Sequence, residues 1–192
     1  MTSAARPSGG APGVLVDRDG TLIRDVGHLS RVEQIEVLPR AAEALRLLRG
    51  HGLKIAIVTN QSAVGLGLLD EKGLEAIHRE LEKRLAAAGA SVDAIYYCPH
   101  HPTKALGSYR ISCECRKPDT GMALRAAADL DLDLARSYVI GDKPSDVELA
   151  ERVGARGILL DAEAAANSSA AVRDIWEAAE RVLADLDARG RG

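Results

Sequence analysis

The stretch Val14-Leu15-Val16-Asp17-Arg18-Asp19-Gly20-Thr21-Leu22 constrains this chain more than any other. Its three consecutive apolar residues read as a buried strand, and Gly20 marks where the chain turns away from it. Asp17 and Asp19 then stand at the carboxyl end of that strand, where open α/β sheets place their ligands. Two carboxylates so close repel each other unless a cation lies between them, and Mg²⁺ is the natural third party. Asp-Gly is also a common hairpin turn, so this stretch alone leaves both readings open.

The rest of the chain alternates strands and helices. Pro39 starts a helix with Ala41, Ala44, Leu45 and Leu48 on one face, ended by Gly50 and Gly52. Leu53–Val58 is a second buried strand that runs into Thr59-Asn60-Gln61-Ser62. Asp70 caps a long helix carrying Leu74, Ile77, Leu81 and Leu85 along one side, and Gly89 stops it. Val92–Tyr97 is a third strand. It is followed by a region rich in Cys, His and Pro, a helix over Thr120–Asp129, a fourth strand at Tyr138–Ile140 and then Gly141-Asp142-Lys143. A helix over Pro144–Val153, a fifth strand at Gly157–Leu160 and an amphipathic terminal helix from Val172 to Leu186, with Trp176 in its core face, complete the pattern. Such alternation indicates α/β architecture, a central parallel sheet with helices on both faces. Ile23–Leu38 is only weakly periodic and reads as a loop or small hairpin beside the aspartates.

A chain of 192 residues, 46% hydrophobic and 28% charged, suits one soluble domain, expected over 13–192. Phe is absent, so Leu, Ile, Val and Ala must build the core. Residues 1–12 are small, with Pro and Gly, and lack the apolar core of a signal peptide; a disordered tail is expected there. No run is apolar and long enough to span a bilayer. A net charge of −3 without a basic stripe argues against a nucleic-acid partner. Three clustered cysteines do not make a disulfide framework. A cytoplasmic monomer without nucleic-acid or membrane partners is the expectation.

Three polar clusters, Asp17/Asp19, Thr59/Asn60 and Asp142/Lys143, each follow the end of a strand, and parallel strands bring all three to one rim. That rim reads as a phosphoryl-transfer site. One aspartate attacks phosphorus and becomes an aspartyl phosphate. The other protonates the leaving alcohol and later activates water. Mg²⁺ offsets the repulsion between carboxylate and phosphate, hydroxyl and amide donors hold phosphoryl oxygens, and a lysine adds positive charge.

Asp17-Arg-Asp-Gly-Thr21, Val58-Thr-Asn-Gln61, Arg116-Lys-Pro118 and Gly141-Asp-Lys-Pro-Ser-Asp146 resemble the four motifs of haloacid-dehalogenase-superfamily phosphatases. Cys98-Pro-His100-His-Pro102 with Cys113-Glu-Cys115-Arg-Lys-Pro118 resembles the D,D-heptose 1,7-bisphosphate phosphatase and histidinol-phosphatase group within it. The resemblance runs from Val14 to Leu160 and implies a Rossmann-like fold without a large cap domain. It implies Asp17 as nucleophile and Asp19 as general acid and base. Thr59 and Asn60 would hold the phosphate, with Lys117 neutralising it. Asp17, the Asp19 carbonyl and Asp142 would bind Mg²⁺. Arg116 would reach the remainder of the substrate. Lys143 and Asp146 would support the site, although a helix-end salt bridge explains that pair equally well. The implied reaction is hydrolysis of the C7 phosphate of D-glycero-D-manno-heptose 1,7-bisphosphate, with histidinol phosphate or another small sugar or polyol phosphate as alternatives. A non-catalytic phosphate-binding module would have lost the aspartates or the lysine, and all are present. Two positions depart from the family pattern: Leu66-Gly67 stands where an arginine is common, and His28 where tyrosine is.

Cys98, His100, Cys113 and Cys115 offer three thiolates and an imidazole, a set suited to tetrahedral Zn²⁺. Four protein ligands leave no open position, so this metal is expected to be structural, folding a loop over about residues 98–115 that has little apolar content. Spacing does not separate His100 from His101, and the resemblance favours His100. Zinc would also fix Arg116 and Lys117, which follow the last ligand directly. His51 and His78 read as solvated surface groups, whereas His28 lies near the aspartates.

Overall fold

In the computed structural model, residues 9–190 are described, and six strands form a single parallel sheet in the order β3-β2-β1-β4-β5-β6. These are β1 (Gly13–Val16), β2 (Lys54–Asn60), β3 (Ala94–Cys98), β4 (Tyr138–Gly141), β5 (Arg156–Leu160) and β6 (Ala171–Val172). The register sets Val16 beside Ile57 on one neighbour and beside Ile140 on the other. Side chains alternate across a strand, and β1 shows the consequence. Val14 and Val16 enter a core with Leu45 and Leu48 of α1 (Ala41–Gly50), Ile77 and Leu81 of α3 (Glu71–Ala87), and Ala179 and Val182 of α7 (Ile175–Gly190). Leu15 enters the opposite core with Met122 and Ala126 of α4 (Gly121–Leu130) and Leu149 of α5 (Pro144–Val153). Helices therefore cover both faces, as the alternating pattern implies. The short helices α2 (Ser62–Gly65) and α6 (Ala162–Asn167) complete the set.

The chain leaves β1 toward β2 and β3, then returns to its other side for β4 to β6. The strand order reverses at β1 and β4, which opens a crevice beyond their carboxyl ends. Above it, residues 23–38 form a small irregular hairpin pinned by the Ile23–Val37 bridge and by the Leu38 amide donating to the Leu22 carbonyl at 2.9 Å. Asp70 caps α3 by accepting from the Gly73 amide at 2.7 Å.

Several boundaries differ from the sequence reading. The first helix begins at Ala41, because Arg40 adopts a left-handed φ of 61° and ends the turn that Pro39 opens. Val172 belongs to β6, so the terminal helix starts later, at Ile175. Of the expected tail, residues 1–8 lie outside the described residues. The stretch 9–12 is not a free tail: Ala11 donates to the Asp131 carbonyl and accepts from the Asp133 amide, each at 3.0 Å. Gly10 permits this pairing, since a Cβ there would lie 2.8 Å from the Asp133 amide nitrogen. Among the described residues no helix is long and apolar enough to cross a membrane.

Candidate active site

Asp17 follows β1 directly, and its amide still pairs with the Ile140 carbonyl of β4 at 2.8 Å. Its carboxylate is buried and accepts from Lys117, whose Nζ lies 2.7 Å from Asp17 Oδ1, 2.6 Å from Asp146 Oδ1 and 2.8 Å from the Val58 carbonyl. Burial pushes the Lys117 ammonium down, but the two carboxylates outweigh it and hold the group above the usual lysine value. Asp146 is thus no exposed helix-end partner. It is buried, its own acidity weakened by burial, and it holds the lysine together with Asp17.

Asp142, at the end of β4, completes the cluster. One carboxylate oxygen each from Asp17, Asp142 and Asp146 lie within 4.8 Å of one another. Burial, with the charges of Asp17 and Asp146, pushes Asp142 up to about 6. Its Oδ1 is buried without a hydrogen-bond partner, a costly condition for a carboxylate. Three carboxylates against one buried ammonium leave two negative charges, which a single divalent cation would cancel. Oxygen donors, an orphaned carboxylate oxygen and this charge deficit together fit Mg²⁺. The approach of Asp142 requires Gly20, at φ 78°, because a Cβ there would stand 2.2 Å from Asp142 Oδ2.

Asp19 points elsewhere. Arg18 Nη2 donates to its Oδ1 and Oδ2 at 3.1 and 3.0 Å, and Gln61 Nε2 donates to Oδ2 at 2.8 Å. Its carboxylate therefore lies outside the three-carboxylate cluster, which leaves its backbone carbonyl for any metal contact. Thr59, buried at the end of β2, accepts from the same Gln61 nitrogen at 2.8 Å, so its own hydroxyl proton is left for another acceptor. The side chain of Asn60 is already committed. It donates to the Lys117 carbonyl at 3.1 Å and accepts from the Lys117 amide at 3.0 Å. The side chain thus clamps the lysine backbone, and a phosphate contact from Asn60 would come from its amide.

Arg18, Gln61 and His78 are the site residues that the sequence reading missed. His78 is buried at 7% exposure, correcting the expectation of a surface group, and its Nε2 lies 3.3 Å from Arg18 Nη1. Burial, and then the Arg18 charge, hold the imidazole down to about 3. The signal was present, since His78 lies four residues after Leu74 and falls on the same helix stripe.

Around the crevice, Lys143 Nζ sits 3.1 Å from Asp25 Oδ2 and 4.0 Å from Asp142 Oδ2, tying the 23–38 hairpin to the loop after β4. His28 is exposed and lines the mouth with Asp25 and Lys143, while Leu66 follows α2 as its C-terminal cap. Arg116 donates from Nη1 to Ser62 Oγ at 2.9 Å and to the His100 carbonyl at 2.8 Å.

Cys98, His100, Cys113 and Cys115 converge, with donor atoms within 4.8 Å of one another. Cys115 Sγ is 3.0 Å from Cys98 Sγ and 3.3 Å from both Cys113 Sγ and His100 Nδ1. Burial and the adjacent Cys115 push the Cys98 thiol up, so a thiolate here calls for a cation beside it. Three sulfurs and one imidazole nitrogen suit Zn²⁺. His101 turns away and accepts the Thr103 and Lys104 amides at 3.3 and 3.1 Å.

Comparison with known proteins identifies relatives of this chain. The family model for HAD-hydrolase-like proteins matches residues 114–188. Over 141 residues the chain is 38% identical to a D-glycero-β-D-manno-heptose-1,7-bisphosphate 7-phosphatase of Photorhabdus laumondii, covering 73% of this chain and 75% of that one. The enzyme of the same description from Escherichia coli K12 is 37% identical over 139 residues, 72% of this chain and 73% of the relative. In three dimensions the chain resembles the D,D-heptose 1,7-bisphosphate phosphatase of B. bronchiseptica, solved with magnesium and phosphate. That likeness has a TM-score of 0.78 at 29% identity, covering 91% of this chain and 99% of the other.

Proposed function

Because this chain belongs to the HAD-like hydrolases and is a phosphoric monoester hydrolase, we propose that it removes the C7 phosphate of D-glycero-D-manno-heptose 1,7-bisphosphate. The β anomer is the form named for the relatives, and it is the one expected here. The observation that carries the reading is the buried Asp17 carboxylate, held at 2.7 Å by Lys117 beside two further carboxylates with a charge deficit of two.

Asp17 is the nucleophile. Lys117 fixes its Oδ1 and leaves Oδ2 to attack phosphorus. The new oxygen–phosphorus bond forms as the bond to the C7 oxygen breaks. The electron pair goes to that oxygen, and Asp19 delivers a proton to it. A water then attacks the phosphorus of the aspartyl phosphate, gives its proton to Asp19, and releases phosphate with Asp17 restored. Lys117 faces the transferring group with a compact positive charge that two aspartates keep in place. The Thr59 hydroxyl is placed to donate to a phosphoryl oxygen. Bound by Asp17, Asp142 and the Asp19 carbonyl, Mg²⁺ would offset the charge between carboxylates and phosphate. Cys98, His100, Cys113 and Cys115 would hold a structural Zn²⁺, and through Arg116 that loop reaches the substrate's far side.

The test is phosphate release from both anomers of the heptose bisphosphate, histidinol phosphate and simple sugar phosphates, with Mg²⁺ and with EDTA. The expected result is fastest Mg²⁺-dependent release from the β bisphosphate. Fastest release from histidinol phosphate would move the substrate to the other branch of the family, and release unaffected by EDTA would remove Mg²⁺ from the reaction. Asp17→Asn should abolish turnover while the circular-dichroism spectrum stays native; substantial residual turnover would unseat Asp17 as nucleophile.

A further inference from the structure

Asp19, on the reading above, must hand over a proton in one direction, yet a free aspartate rotates about two bonds. Its carboxylate is fixed here by Arg18, whose Nη2 meets both oxygens and whose Nε lies 3.3 Å from Oδ1. Arg18 is fully buried at 0% exposure. A guanidinium out of water keeps one orientation only where its arms find acceptors. Gln61 Oε1 takes Nη2 at 2.7 Å, and His78 Nε2 lies against Nη1 at 3.3 Å. Arginine has hydrogens to give and no lone pair, so His78 meets it with the bare nitrogen of a neutral ring whose proton sits on Nδ1.

An apolar residue would suit this position better if packing were its whole purpose. His78 shares its stripe with Leu74, Ile77 and Leu81, all buried, and a buried imidazole carries a desolvation cost that leucine does not. The ring occupies the place where the outermost arm of the fork needs an acceptor. It reaches Asp19 only through Arg18.

We infer that His78 is a positioning residue, which sets the Arg18 fork and thereby aims the Asp19 carboxylate at the leaving-group oxygen. This rests on Asp19 being the proton donor. Removing the acceptor frees a buried N–H, the fork turns to recover a partner, and Asp19 shifts with it. A misplacement of about 1 Å in a reacting group costs up to roughly a hundredfold in rate.

Leaving-group chemistry supplies a readout that simple destabilisation would not move. An alkoxide needs the proton from Asp19, whereas p-nitrophenolate departs without one. Wild type, His78→Leu, His78→Gln and Asp19→Asn are compared on the best alkyl phosphate of the panel and in first-turnover p-nitrophenolate release from p-nitrophenyl phosphate. His78→Leu should lower kcat on the alkyl ester about tenfold or more with KM unchanged, while first-turnover aryl ester cleavage keeps the wild-type rate. His78→Gln, whose Oε1 can accept from Arg18, should recover most of the loss. Should His78→Leu not fold, Arg18→Lys, which keeps the charge but loses the fork, must produce the same split. If Asp19→Asn separates the two esters and the His78 and Arg18 variants do not, the positioning inference is overturned alone. If Asp19→Asn does not separate them, the proton-donor reading falls and the inference falls with it.

Discussion

Lys117 shows how one side chain can be kept charged in a place that disfavours charge. Burial acts against its ammonium, and Asp17 and Asp146, at 2.7 and 2.6 Å, reverse the sign. His78 is the opposite case: burial and the Arg18 cation act together, and its ring stays neutral down to about 3. The linkage follows from the direction of that shift. Between the ordinary histidine value of about 6.5 and about 3 the unfolded chain binds a proton at this position that the folded chain refuses. Stability from this residue is therefore complete above about pH 6.5 and is lost as pH falls toward 3. Urea unfolding at pH 7 and pH 4.5 should show a larger loss for wild type than for His78→Gln, and equal losses would mean that the ring is protonated in the folded protein. Asp17 and Asp142 were legible because each follows an apolar run that ends a strand, and Lys117 because it stands in the Arg-Lys-Pro motif directly after the last cysteine. The clamp made by the Asn60 side chain was not legible, since its partner lies 57 residues away and is backbone.

At the scale of elements, the loop from Cys98 to Cys115 has little apolar core of its own and gathers four side chains that would hold Zn²⁺. It hands the chain directly to Arg116 and Lys117, the first bonded to Ser62 and the His100 carbonyl, the second clamped by Asn60. Stripping zinc with a chelator should raise the substrate KM before the domain unfolds, because Arg116 loses the carbonyl it rests on while Lys117 keeps its clamp. Kinetics and fluorescence followed together during chelation check this; an unchanged KM in zinc-free, folded protein would separate the loop from the site. The cysteines announced this element through clustering alone. The single turn of α2 and the two-residue β6 carry too few residues for any periodicity to register, and so were not foreseen. The pairing of Ala11 with the strand-side turn at Asp131 rests on backbone groups, to which composition is blind.

For the whole molecule, the cluster of Asp17, Asp142 and Asp146 stands at the centre of the sheet's rim, joined to both wings. A ligand that relieves its charge should therefore stabilise the entire fold by mass action. Thermal melting at pH 7.5 should shift upward with Mg²⁺ concentration, and Asp142→Asn should remove most of that shift; a variant that responds like wild type would place the ion elsewhere. The order β3-β2-β1-β4-β5-β6 also has a consequence for the chain as it is made. A ribosome delivers β1, β2 and β3 well before Tyr138 begins β4. Through that interval β1, apolar on both faces, is an open border with unpaired amides and carbonyls, the kind of edge that recruits strands from other molecules. The nascent protein is most exposed to aggregation while the 39 residues between Cys98 and Tyr138 are being synthesised, and the arrival of β4 closes that border and brings Asp142 to Asp17, with Asp146 following on α5 to complete the carboxylate cluster.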